Sequence, residues 1–127
     1  YVRDSIYKLM NIIQEEQTDL ITIKSAENKG RLVTIKTRDI YYIESELRVA
    51  HIYTIDNLYT TYMTLDEIQN KLKNNFLRCH RSFIVNSDKI KKFIKQGFIL
   101  FNDKFVPISR SKSKEINNNV RNYIQMS

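Results

Sequence analysis

The chain has 127 residues, enough for one domain with a genuine core, and carries a net charge of +7, one cysteine, two histidines and two glycines. One cysteine excludes an internal disulfide framework and fits a reducing, cytoplasmic setting. One Cys and two His cannot close a structural zinc site without carboxylates, and neither a run of ~18 apolar residues nor a signal peptide is present.

Residues 4–17, DSIYKLMNIIQEEQ, place Ile6, Leu9, Met10 and Ile13 at helical spacing behind a capping Asp4 or Ser5. Residues 1–19 read as a linker helix from an upstream domain, and residues 20–127 as the domain proper. From residue 20 the period changes to two. LITIK (20–24) and RLVTIK (31–36) alternate around a short loop ending in Gly30, which predicts a hairpin. IYYIES (40–45), RVAHIYTI (48–55) and residues 58–62 are rich in β-branched and aromatic residues and predict strands, with Asp56-Asn57 as a turn. Thr64 followed by Glu67 is a capping-box pattern and predicts a short helix over 65–73. FIVN (83–86), KIKKFIK (89–95), FILF (98–101) and FVPIS (105–109) predict further strands, the last two joined by a turn at Asn102-Asp103-Lys104. A final helix is expected over 109–124, where Ile116, Val120 and Ile124 share a four-residue spacing. The expected fold is mainly β: an elongated antiparallel assembly with one short internal helix and flanking helices.

The charge is clustered. Residues 78–114 hold ten basic and two acidic residues, while residues 21–77 hold eight and seven. A clustered basic surface is the electrostatic footprint of a polyanion binder, although many solvated faces are basic too. Two groups stand out. Arg78, His80, Arg81 and Ser82 interrupt the apolar run FLRCHRSFIVN (76–86), and Ser109, Arg110, Ser111, Lys112, Ser113 and Lys114 follow FVPI. Both read as loops projected from a rigid sheet. Arginine suits bidentate contact with guanine, and Lys, Ser and Thr suit phosphate.

Catalysis finds little support. Cys79 and His80 are adjacent, but neighbours in an extended chain face opposite ways and make a poor dyad. Ser82 lacks a G-x-S-x-G context, and no glycine-rich phosphate loop exists. Cys79 reads first as a small buried residue. Arg78, His80 and Arg81 around it would lower its thiol pKa, which makes it a candidate redox-sensitive residue. Tyr41, Tyr42, Tyr53, Tyr59 and Tyr62 on strands allow a second reading, a sheet face that stacks single-stranded bases. A third is a protein-interaction module whose basic face meets an acidic partner.

IYYIES (40–45), TLDEIQNKL (64–72), FLRCHRSFIVN, KIKKF (89–93) and VPISRSKSKEI (106–116) together resemble the LytTR-type DNA-binding domain, the output half of bacterial response regulators of the AgrA and VirR kind. The likeness spans roughly residues 20–117. It implies duplex-DNA binding at promoter direct repeats, transcription control within a two-component system, a dimer on DNA, RNA polymerase as a further partner, and no enzyme activity, cofactor, metal or membrane. It implies base contacts from Arg81 and Arg110 and phosphate contacts from Ser82, Ser109 and Thr64, joined by His80, Lys112 and Lys114. Agr-type members carry a histidine at the position of Ala50. Here His51 lies one residue away, so Arg48 or His51 is expected to substitute. The second cysteine of Agr-type redox control falls near Phe105, so no intramolecular disulfide switch is expected.

Overall fold

The computed structural model describes residues 19–27 and 29–112. Ten strands and one short α-helix follow in order: β1 (Leu20–Lys24), β2 (Leu32–Lys36), β3 (Ile40–Glu46), β4 (Val49–Thr54), β5 (Leu58–Thr61), α1 (Leu65–Lys71), β6 (Phe76–His80), β7 (Phe83–Asn86), β8 (Ile90–Ile94), β9 (Gly97–Leu100) and β10 (Phe105–Pro107). They form a two-stranded sheet β1-β2, a five-stranded sheet β5-β4-β3-β7-β6 and a three-stranded sheet β10-β9-β8. Every pairing is antiparallel. The mainly β antiparallel expectation therefore holds. The leading helix lies outside the described residues. Of the final helix only residues 110–112 are described, and they make a first helical turn.

The five-stranded sheet is apolar on both faces, and each face finds its own cover. Ile43, Ile52 and Ile84 pack with Ile21, Ile23 and Ile35 of the β1-β2 hairpin and with Leu65 and Ile68 of α1. Tyr42 and Val85 pack instead with Phe98, Leu100 and Val106 of the three-stranded sheet. Strand neighbours such as Tyr42 and Ile43 thus serve opposite layers, as the period of two requires. The first layer holds eight isoleucines, whose branched side chains are stiff and suit a pleated surface. Burying each stabilises the fold by roughly 1.5–3 kcal/mol.

Bulges retune this alternation. Ile40 and Ile43 are an odd number apart yet share one layer, because the β3–β4 register shifts between Ile40 and Tyr42. A second bulge lies in β6, where Leu77 opposes Val85 but His80 opposes Phe83. Here the structure departs from the expected loop. Arg78, Cys79 and His80 belong to a strand, and only Arg81 and Ser82 make the turn. The reason is Cys79: it fills the second core with Leu77 and holds the backbone in the sheet.

Thr64 caps α1 as expected, its Oγ1 accepting from Glu67 N at 3.1 Å while Glu67 Oε1 accepts from Thr64 N at 3.4 Å. The helix stops at Lys71, earlier than expected, because Leu72 turns extended. The β4–β5 turn spans residues 55–57 rather than two residues, closed by Thr54 Oγ1 accepting from Asn57 N at 2.9 Å. Gly97 allows β9 and β10 to close, since a Cβ there would lie 2.3 Å from Val106 O and 2.6 Å from the Phe105 ring. The β3–β4 turn is Leu47-Arg48, with φ of 50° and 69°. The left-handed region costs a non-glycine residue roughly 1–2 kcal/mol.

Asn86 ties the layers together. Its Nδ2 donates to Ile40 O at 2.8 Å, and its Oδ1 accepts from Asp88 N at 3.0 Å and Asn75 Nδ2 at 3.3 Å. Asn86 itself is buried, as is its bond to Ile40, while the bonds to Asp88 and Asn75 reach the half-buried margin. Asn86→Ala should cost about 1–3 kcal/mol in urea unfolding, because it strands the buried Ile40 carbonyl. A loss below 0.5 kcal/mol would show that the network is dispensable.

Candidate nucleic-acid interface

Two polar clusters some thirty residues apart in sequence come together at one end of the sheet. Arg78, His80 and Arg81 share an open hollow of about 480 Å³ with Ser109, Ser111 and Lys112, rimmed by Asp66 and Gln69 of α1. The joint is a backbone hydrogen bond from Ser109 N to Cys79 O at 2.9 Å. Ser109 Oγ lies 3.3 Å from Ser111 Oγ, and Lys112 N donates to Ser109 O at 3.1 Å. These bonds start the helical turn and hold its small hydroxyls beside the arginines.

Arg78 is the organiser. Its Nε donates to His80 O at 3.0 Å, its Nη2 to Arg81 O at 2.7 Å, and its Nη1 to Asp66 Oδ1 at 2.7 Å. The planar guanidinium thereby clamps the bulge and the turn and ties them to the first turn of α1. Its side chain is only 18% exposed, against 85% for Asp66. An ion pair with so exposed a carboxylate adds at most about 1 kcal/mol, so the carbonyl bonds to the turn carry the larger role. With its donors so engaged, Arg78 positions its neighbours.

Arg81 stands at the turn and is exposed. His80 Nδ1 accepts from Ser82 N at 3.1 Å, which places the ring proton on Nε2, facing away from the turn. The His80 ring meets Phe83 edge-on at 5.5 Å between centroids. Ser82 O accepts from Ser45 N at 2.8 Å, which brings the β3–β4 turn alongside. Arg48 of that turn shares a second hollow with Ser45, Thr64, Arg78 and Arg81.

Several expected site residues are placed differently. Thr64 lines the second hollow, but its hydroxyl is occupied by the capping box, with Glu67 Oε1 at 3.1 Å. It is not an open phosphate ligand. His51 does not join Arg48, because β4 begins at Val49 and alternation turns His51 to the other face of the sheet. It pairs with Glu44 and Thr60 across the strands, and its Nε2 lies 4.0 Å from Glu46 Oε2. Arg110 is exposed on a separate hollow with Phe93, Lys95, Phe105 and Ile108. Lys114 lies outside the described residues. Asp66 was not legible as a site element, although it sits inside the capping-box motif, whereas Arg48 of the β3–β4 turn was among the expected base contacts.

Cys79 is a packing residue. It is fully buried, and burial pushes its thiol up to about 12, the effect of nearby Lys112 and Arg78 being smaller. The expectation of a lowered thiol pKa fails because the sheet seals the sulfur away from the charges. Tyrosines fare likewise. Tyr42 stacks on Tyr53 at 4.5 Å in the second core, Tyr59 packs on the first, and Tyr41 lies under Lys89 Nζ at 5.4 Å. Of the five, only Tyr62 is largely exposed, at 70%, so the aromatic face expected for single-strand stacking is not assembled.

Comparison with known proteins agrees with this geometry. The family model of the LytTr DNA-binding domain matches residues 30–121. The chain is 38% identical over 92 residues to the transcriptional regulatory protein YpdB of Escherichia coli K12, covering 67% of this chain and 38% of that one. It is 34% identical over 91 residues to the sensory transduction protein LytT of Bacillus subtilis, covering 67% and 38%. The chain thus spans well under half the length of these relatives. A solved LytTr DNA-binding domain from Bacillus cereus shares the fold, with a TM-score of 0.68 at 24% identity over 79% of this chain and 94% of that one.

The buried thiol and phenol make stability fall in alkali. Both Cys79 and Tyr42 rise to about 12 on folding, from 9.0 and 10.0, chiefly by burial. The folded state keeps protons that the unfolded chain releases. Their contribution is complete below pH 9 and is lost as pH climbs towards 12, at no more than ~1.4 kcal/mol per pH unit per group. Urea titrations at pH 8, 9 and 10 should show this decline, and Cys79→Ala should flatten its first part. An unchanged slope in that variant would dissociate Cys79 from the effect.

Proposed function

The chain belongs to the LytTr DNA-binding domain family, and on that premise we propose that it reads duplex DNA by sequence as the output domain of a transcription-controlling response regulator. The observation that carries the reading is the convergence of the Arg81 turn with Ser109, Ser111 and Lys112 on one open basic hollow. Among the described residues the exposed Arg81 guanidinium has no hydrogen-bond partner, and it stands on a two-residue turn, the arrangement suited to a guanine edge in a groove. Arg110 and Arg48, exposed on flanking hollows, are the further base-reading candidates. Ser82, Ser109, Lys112 and the Nε2–H of His80 are small or cationic donors suited to phosphate. Residues 1–19 then belong to the connection with a receiver domain, and two copies bind direct repeats in promoters.

The inward tyrosines favour duplex over single-stranded DNA. If about six phosphates are neutralised, log K should fall against log salt with a slope near −5. Selection from random duplex DNA at physiological salt should enrich a motif repeated at about one helical turn. On that motif Arg81→Ala should lose ~1–3 kcal/mol of discrimination at one base pair. Lys112→Ala should weaken all sequences alike and flatten the salt slope by ~1. No enrichment, with retention vanishing as salt rises, would sink the reading and leave a basic surface for an acidic protein.

A further inference from the structure

The β1-β2 hairpin has an outer face that no other described element covers. Its inner face sends Ile21, Ile23 and Ile35 into the first core. Alternation turns Leu20, Thr22 and Lys24 of β1 and Leu32, Thr34 and Lys36 of β2 the other way, and all six are exposed. Register sets them in three cross-strand pairs, Leu20 with Lys36, Thr22 with Thr34 and Lys24 with Leu32. An antiparallel ribbon with one face in water is normally polar on that face. Here a leucine stands at either end, Leu32 at 70% exposure and Leu20 at 40%. The cations of this face are uncommitted too: among the described residues Lys24, Lys36 and neighbouring Arg38 pair with no carboxylate.

The segment that enters the hairpin has the complementary character. Residues 4–17 carry Ile6, Leu9, Met10 and Ile13 at helical spacing, and Asp4, Glu15 and Glu16 against Lys8 alone. The chain is fixed as far back as Asp19, whose carbonyl oxygen accepts from Thr37 N at 2.8 Å and from Thr37 Oγ1 at 3.0 Å. Asp19 shares a hollow with Leu20, Lys36 and Arg38, so Glu15 and Glu16, only a few residues earlier, start close to those cations. A helix over residues 4–17 is about 21 Å long and the hairpin face about 17 Å. A reversal through Thr18 and Asp19 lays one along the other, Ile13 level with Leu20 and Ile6 with Leu32. Connections this short are common between a helix and a strand. A helix of this length left in water is marginal, so it gains from such a cover.

We propose that residues 4–17 dock as an amphipathic helix along the outer face of the β1-β2 hairpin, with the apolar stripe on Leu20 and Leu32 and the carboxylates beside Lys36 and Arg38. The chain's entry is thereby held against a hairpin whose far loop joins β5 through Ala26 N and Thr60 O at 2.9 Å. The inference does not depend on the DNA reading, and its test needs no DNA.

Amide hydrogen exchange on the whole chain supplies that test. Amides of residues 8–17 should exchange at least about tenfold more slowly than in an unstructured peptide, tenfold being the least that one covered leucine is worth. The protection should not change with protein concentration. Leu20→Thr with Leu32→Thr should abolish it and leave the amides of β3 and β4 protected, since threonine suits a strand surface. If that pair also loosens β3 and β4, the charge reversal Lys36→Glu with Arg38→Glu decides, because it leaves every apolar residue in place. It should speed exchange at 8–17 alone. Peptide-like exchange at 8–17 in the wild type would overturn the proposal, the segment then leaving the domain undocked. Protection that appears only at rising concentration would assign the face to a second copy and overturn it as well. So would protection that survives the substitutions while β3 and β4 hold, because the helix then rests elsewhere.

Discussion

The organising constraint is a five-stranded sheet that is apolar on both faces. Ile43, Ile52 and Ile84 on one side and Tyr42, Val85 and Cys79 on the other cannot be left in water. The β1-β2 hairpin with α1 must cover one face and the three-stranded sheet the other. With both faces closed, the polar residues of the strands are driven to the ends, where the turns are. The basic hollow lies at one such end, beside the β3–β4 and β6–β7 turns.

That arrangement explains how a chain can place two arginines, a histidine and a cysteine inside an apolar run. The bulge in β6 separates them by role. Cys79 goes into the core, and Arg78 is engaged by three hydrogen bonds, two to the His80 and Arg81 carbonyls and one to Asp66 of α1. His80 closes the turn through Ser82, and Arg81 is left exposed, its side chain uncommitted among the described residues. One charged residue is spent on rigidity so that the next can be presented in a fixed position, which is what selective recognition of a base edge demands.

The three-stranded sheet contributes more than cover. Gly97 lets β10 lie tight against β9, and the chain leaving β10 is captured at once by the Ser109 bond to Cys79. The serine-rich segment is thus fixed to the same bulge that presents Arg81. The two halves of the site are coupled through backbone, and side-chain substitutions on one cluster need not displace the other.

Much of this was legible in the sequence. Strand periods, the Thr64–Glu67 cap and the two basic clusters follow from local chemistry, which acts over a few residues and leaves its pattern in a single segment. The family resemblance rested on the same motifs. What local pattern could not decide is what depends on pairing. The β6 bulge, the committed guanidinium of Arg78, the sealed thiol of Cys79 and the turning-away of His51 all follow from register with strands far off in sequence. The Leu47-Arg48 turn carries no glycine or asparagine to announce it. The sequence by itself determined which residues are apolar, which are cationic and where strands begin. Only the tertiary structure decided which cations remain free, because a hydrogen bond to Asp66 or to a turn carbonyl exists only once distant strands have met.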